Sequence, residues 1–135
     1  RPWGGFLVIT DRSLNHFLKN FFPYLKFDSK QKVSPKLLVV EPGKRLSWQY
    51  HERRGEIWKV INGPVGVYQS PTDQIPDKYR ACEPGELITL GCGERHRLVG
   101  LESWGVVAEI WQHKDFGALS DEEDITRLED DTNRP

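Results

Sequence analysis

The sequence predicts an all-β fold, a sandwich or barrel, and three observations carry that reading. Short apolar or alternating runs recur at close spacing from Lys36 onward, most are separated by Gly and Pro turn chemistry, and the chain has no repeat of solenoid period. At 135 residues the chain is long enough for one core, so a single domain over residues 1–135 is expected.

Taken in order, Trp3-Gly4-Gly5-Phe6-Leu7-Val8-Ile9 reads as an opening strand. Leu14, Phe17, Leu18, Phe21 and Phe22 then recur at spacings of three and four, which marks one face of a helix. Ser13 stands where an N-cap hydroxyl would satisfy an orphan amide, and Pro23 forbids continuation. This helix is expected to pack its aromatic face on the β core. Leu37-Leu38-Val39-Val40, between Pro35 and Pro42-Gly43, suits a buried strand. Glu56-Ile57-Trp58-Lys59-Val60-Ile61 alternates polar and apolar before the turn signal Asn62-Gly63, and Pro64-Val65-Gly66-Val67-Tyr68 follows. Residues 70–77 hold two prolines and no apolar period, so they read as loop. Tyr79-Arg80-Ala81-Cys82, Leu87-Ile88-Thr89-Leu90, His96-Arg97-Leu98-Val99 and Val106-Val107-Ala108-Glu109-Ile110-Trp111 complete the strands. In the tail, Ser120 and Glu123 have capping-box spacing, which predicts a short helix over residues 121–128 with a solvated acidic end fraying beyond it.

Nineteen Lys and Arg against twenty Asp and Glu give a net charge of −1, without the basic excess a nucleic-acid partner would require. Mean hydropathy is −0.61 and no apolar run approaches membrane-spanning length. The first residues lack a signal-peptide pattern, and two cysteines, Cys82 and Cys92, make no disulfide framework. A reducing, cytoplasmic setting is therefore the default, with neither membrane nor nucleic acid as partner.

Chemistry concentrates in residues 47–58. Gln49 and His51, two apart on an extended strand, point to the same face, and Glu56 follows after a glycine-containing break. An amide oxygen, an imidazole and a carboxylate all suit a divalent metal such as zinc or manganese. His96, far downstream in Gly91-Cys92-Gly93-Glu94-Arg95-His96, is a fourth candidate if the fold brings distant strands together. On spacing alone, a solvated hairpin is the commoner explanation of Gln49, His51 and Glu56.

The flanks add a resemblance. Pro42-Gly43, Gln49-Tyr50-His51, Glu56, Trp58 and Gly63 resemble the first cupin motif, and Pro84-Gly85, Gly93 and His96-Arg97-Leu98 the second. More narrowly, Arg1-Pro2-Trp3-Gly4, Leu46-Ser47-Trp48-Gln49-Tyr50-His51, Arg54-Gly55-Glu56-Ile57-Trp58, Glu94-Arg95-His96-Arg97-Leu98 and Glu123-Asp124-Ile125-Thr126-Arg127-Leu128-Glu129-Asp130-Asp131 resemble the cupin domain of type II mannose-6-phosphate isomerases. The resemblance implies a jelly-roll barrel with the N-terminal helix, roughly residues 11–34, as an added element. It also implies a divalent metal held by Gln49, His51, Glu56 and His96. Zinc ranks first, with manganese, cobalt, iron or nickel as alternatives.

The activity implied is interconversion of mannose 6-phosphate and fructose 6-phosphate. Glu94, Glu109 and His113 are base candidates by residue type only. For the sugar-phosphate partner, Arg54, Arg97 and Arg127, in segments that match the family, rank ahead of Lys59 and Arg45, because a guanidinium grips two oxygens at once. Arg54, nearest the metal motif, is expected to steady charge at the reacting carbons rather than grip the phosphate. Cys92 reads as a buried turn cysteine rather than a ligand. A homodimer is an expectation of the resemblance alone, and the nucleotidyltransferase unit that accompanies such domains lies outside these residues, so no GDP-sugar synthesis is expected of them.

The family's usual histidine run and Arg-Ala-Glu-His-Trp are altered here to His51-Glu52-Arg53 and Arg54-Gly55-Glu56-Ile57-Trp58, which puts the activity in question. The Gly91-Cys92-Gly93 turn differs as well. Two further classes therefore stay open, a non-catalytic metal- or sugar-binding cupin and a metal-dependent oxygenase.

Overall fold

The computed structural model describes residues 3–26 and 32–131. Arg1 and Pro2 of the opening match, residues 27–31 of the added segment, and residues 132–135 of the tail lie outside the described residues. The strands are β1 (Gly4–Val8), β2 (Lys36–Val40), β3 (Trp48–Tyr50), β4 (Arg54–Asn62), β5 (Val65–Ser70), β6 (Arg80–Cys82), β7 (Leu87–Leu90), β8 (Arg95–Gly100), β9 (Gly105–His113) and β10 (Thr126–Glu129), with one helix, α1 (Leu14–Phe21), between β1 and β2. They form two five-stranded antiparallel sheets, ordered β1-β2-β9-β4-β7 and β10-β3-β8-β5-β6. The jelly-roll takes the form of two facing sheets.

Alternation along the strands decides what faces what. On β4, Trp58 and Val60 join Leu38, Val40, Val65, Val67, Ile88, Leu98 and Val107 in a core drawn from both sheets. Ile57 on the same strand points the other way, joining Ala108 and Ile110 of β9 against Phe17 and Phe22. The first sheet is thus buried on both faces, and β4 and β9 are buried along most of their length. Phe17 and Phe22 are 4% and 2% exposed, and burying a side chain of that size contributes roughly 1.5–3 kcal/mol. The helix is the expected cover for the outer face of the sheet. Its start differs from expectation: Ser13 makes no side-chain cap bond. A 3-10 turn over Asp11–Ser13 precedes it, and the Ser13 amide already bonds the Thr10 carbonyl at 2.9 Å.

The C-terminal helix expected over residues 121–128 is corrected to a turn followed by a strand. Ser120 does not close a capping box with Glu123. Its hydroxyl donates to Asp124 Oδ2 at 2.6 Å, while Asp121 Oδ1 accepts the amides of Glu123 and Asp124. Those bonds turn the chain at once, and β10 then pairs with β3, Thr126 opposite Tyr50 and Arg127 opposite Gln49. This covers an edge that β3 would otherwise leave unpaired. Among the described residues no helix is long and apolar enough to cross a membrane.

Candidate metal centre and the cavity beside it

Three of the four expected ligands converge as a tight cluster. Ligand atoms of His51, Glu56 and His96 all lie within 4.8 Å of one another, and all three residues are buried. Gln49 sits directly opposite His96 across β3 and β8, with its Nε2 3.4 Å from His96 Nε2. Glu56 comes from the other sheet, and His51 from the loop where the chain crosses between the sheets. Glu56 falls on the Trp58 face of β4.

Both imidazoles are fixed from behind. His51 Nδ1 donates to the Asp124 carbonyl at 2.7 Å, and His96 Nδ1 to the Glu94 carbonyl at 3.2 Å. Each ring therefore turns its Nε2 lone pair toward Glu56, at 3.3 Å from Oε2 for His51 and 3.7 Å from Oε1 for His96. Burial and then the nearby Arg54 charge lower the His51 pKa to about 4. Burial and then His51 lower that of His96 to about 3. Both rings are neutral at pH 7, so these are contacts of lone pairs rather than ion pairs. Glu56 Oε1 is buried and has no hydrogen-bond partner among the described residues. Two neutral imidazole nitrogens and an orphaned carboxylate oxygen facing one another could hold a divalent metal, with carbonyl partners behind each imidazole of the kind that fixes metal-bound histidines.

Arg54 supports the same cluster. Its Nε donates to Glu56 Oε2 at 3.0 Å, Nη1 reaches Ser120 Oγ at 2.9 Å and the Asp121 carbonyl at 2.8 Å, and the guanidinium lies 3.7 Å over the Trp111 ring. Asp124 anchors the loop after His51 by accepting the amides of Glu52 and Arg53, each at 2.9 Å. The sequence placed Asp124 in the helix expected over residues 121–128 and gave it no role. Burial pushes its carboxyl up, but bonds from Ser120, Glu52 and Arg53 outweigh this and hold it below the ordinary carboxylate value. With the folded pKa depressed, the carboxylate stabilises the fold above the unfolded value near 4. That contribution is lost as pH falls through the folded value. Asp124→Asn should cost roughly 1.5–3 kcal/mol at pH 7 in urea unfolding, as expected for weakened bonds to a charged group. The gap between mutant and wild type should close below about pH 4. A gap that stays constant down to pH 3 would refute this account.

A cavity of about 100 Å³ opens beside the cluster, with Lys36, Gln49, His51, Arg54, Glu109 and Arg127 on its wall. Glu109 is buried, accepts a bond from Trp58 Nε1 at 3.0 Å, and burial followed by the Glu56 charge holds its carboxyl well above the usual range. The other base candidates are placed elsewhere. Glu94 Oε1 closes its own turn by accepting the Gly91 amide at 2.9 Å and serves the site only through its carbonyl. His113 is tied into a loop, with Nδ1 accepting the Ser120 amide at 3.0 Å.

Two of the phosphate candidates are likewise corrected. Arg97 is fully buried and spends its guanidinium on the Leu46 carbonyl at 2.7 Å and on Glu129 at 3.2 Å. Lys59 follows Trp58 on β4 and so faces away from the cavity. Arg45 pairs with Asp131 at 2.7 Å on the surface. Cys92 occupies a turn but is exposed, with its thiol donating to the Glu52 carbonyl at 2.9 Å.

Lys36 was missed altogether. Its position two before Leu38 and four before Val40 places it on the inner face of β2, and that parity was available in the sequence.

A family model described as mannose-6-phosphate isomerase C-terminal matches residues 10–130. A curated protein, mannose-1-phosphate guanylyltransferase 2 of Escherichia coli O157:H7, is 29% identical over 110 residues, covering 79% of this chain and 21% of that protein. The chain thus spans about a fifth of that relative. Among solved structures, a cupin-superfamily sugar phosphate isomerase from Silicibacter pomeroyi aligns with a TM-score of 0.52 at 16% identity, covering 62% of this chain and 52% of that one. CapF aligns with a TM-score of 0.65 at 15% identity, covering 96% of this chain and 33% of that one. At these identities the structural likeness establishes the cupin fold.

Proposed function

The chain belongs to the mannose-6-phosphate isomerase C-terminal family, and we propose that it is a metal-dependent aldose–ketose isomerase that interconverts mannose 6-phosphate and fructose 6-phosphate. The observation that carries the reading is the convergence of His51, His96 and the orphaned Glu56 oxygen, with His51 also on the wall of a cavity that carries Lys36, Arg54 and Arg127. Those three residues, with Gln49 beside them, would hold the metal, with zinc the first choice for a set of nitrogen and oxygen donors. When bound, the metal would polarise the carbonyl and hydroxyl oxygens of the open-chain sugar and stabilise charge developing there.

The protein's own part follows from the cavity wall. Isomerisation removes a proton from the carbon beside the carbonyl and returns one to its neighbour through an enediol. Glu109 is the carboxyl on the wall suited to carry that proton, held in place by Trp58 and shielded from water. Arg54 fixes the orientation of Glu56 and brings positive charge to the reacting end.

The altered family positions lie outside the cavity wall, which supports the catalytic reading. Ile57 packs under the helix on the outer face, and Glu52 and Arg53 lie off the cavity wall, so the missing histidines are not missing from the cavity.

Metal analysis of the purified protein, followed by a coupled assay of fructose 6-phosphate formation, tests the reading. Activity should fall to background after chelation and return with a divalent ion. Absence of turnover with every such ion, alongside retained sugar-phosphate binding, would move the protein to the non-catalytic sugar-binding class.

A further inference from the structure

We propose that Lys36 and Arg127 form the seat for the substrate's phosphate, and that the Glu122 carboxylate occupies this seat until the phosphate displaces it. The naming of the substrate rests on the function proposed above, whereas the anion seat itself can be tested without turnover.

Lys36 is 5% exposed, yet its ammonium faces the cavity rather than bulk water. It lies 2.5 Å from Glu122 Oε1, 4.0 Å from Glu109 Oε2 and 4.5 Å from the Trp111 ring centroid. A desolvated ammonium needs an anion, and Glu122 supplies it from a side chain that is 67% exposed.

Glu122 does nothing else that the structure records. The turn it rides on is held by Asp121, which accepts two backbone amides, and by Asp124, which accepts two more from the loop after His51. Removing the Glu122 carboxylate from Lys36 therefore leaves the turn intact. A carboxylate that is solvent-exposed, dispensable to its own loop and seated on a buried cation at a cavity mouth stands where a ligand's anion would sit.

Arg127 lies on the same wall, on β10, with its Nε 3.9 Å from Asp130. A point-charge ammonium and a planar guanidinium together suit a tetrahedral dianion better than a single carboxylate. Gln49 and His51 line the same cavity, with Gln49 directly opposite Arg127 across β3 and β10, so a ligand anchored by its phosphate would lie against the metal ligands.

Isothermal titration of the purified protein with inorganic phosphate and with mannose 6-phosphate tests this, using wild type, Glu122→Gln and Lys36→Gln. The Glu122→Gln change is isosteric, exposed and neutral, so the fold should be unaffected. It should tighten inorganic phosphate binding several-fold by removing the competitor, whereas Lys36→Gln should weaken it tenfold or more. Phosphate affinity that is unchanged or weaker in Glu122→Gln overturns the proposal, and this arm decides alone if Lys36→Gln does not fold. Phosphate held instead at the metal centre would bind all three proteins alike, which also overturns it. Mannose 6-phosphate binding tighter than inorganic phosphate assigns the seat to a sugar ester, and equal affinities overturn that assignment. These readouts stand whether or not the protein proves to be an isomerase, so failure of the seat and failure of the function are separable.

Discussion

Replacing His96 by alanine is expected to abolish isomerase activity and metal binding while leaving a folded protein. His96 is 1% exposed, stands opposite Gln49 and presents Nε2 to Glu56. Losing an outer-shell partner typically costs 10–100-fold in metal affinity, so loss of a direct ligand should exceed that. The ring also fills space, with its centroid 5.1 Å from that of His51 and 5.5 Å from that of Trp58. Deleting it leaves a cavity, at a cost of about 2–5 kcal/mol by analogy with other large-to-small changes. His96 touches the apolar core between the sheets through Trp58, and the rest of that core stays in place, so folding should survive, unlike that of small zinc domains. Metal content measured against calorimetric unfolding checks both halves. A mutant that retains stoichiometric metal would remove His96 from the ligand set, and one that is unfolded at room temperature would show the metal to be structural.

Much of this site was legible in the sequence because strand parity is a strong rule. Gln49 and His51, two apart, share a face once the strand exists. The same parity puts Lys36, two before Leu38, on the inner face of β2. Arg127 lies on the cavity, whereas Arg97 was misplaced. Arg97 is indistinguishable by residue type from a ligand arginine, and only tertiary structure reveals that the Leu46 carbonyl and Glu129 consume its donors. The tail misled because Ser120 and Glu123 have the spacing of a capping box, a local signal that long-range bonds override. Asp124 takes the Ser120 hydroxyl and reaches across the chain to two amides of the His51 loop, and β3 offers an open edge to the residues that follow. Local propensity cannot register partners seventy residues away.

Arg54→Ala should lower kcat about 10–100-fold, the range typical of losing a group that orients metal ligands, with a smaller effect on KM. The guanidinium is 4% exposed, and its donors go to Glu56, Ser120 and the Asp121 carbonyl, with Nη2 3.4 Å from His51 Nε2. It therefore holds the ligand carboxylate and ties the β4 start to the turn that carries Asp124. A residue so placed acts where charge develops, and its contribution grows toward the transition state. Stability should fall as well, by about 3–5 kcal/mol, because the buried Glu56 carboxylate loses its cation. Arg54→Lys should recover part of the stability but little of the rate, since an ammonium cannot span Glu56 and Ser120 while stacking on Trp111. Steady-state kinetics on mannose 6-phosphate, read beside urea unfolding, separate the possibilities. A raised KM with unchanged kcat would make Arg54 a phosphate ligand instead, and wild-type values of both would leave it a purely structural arginine.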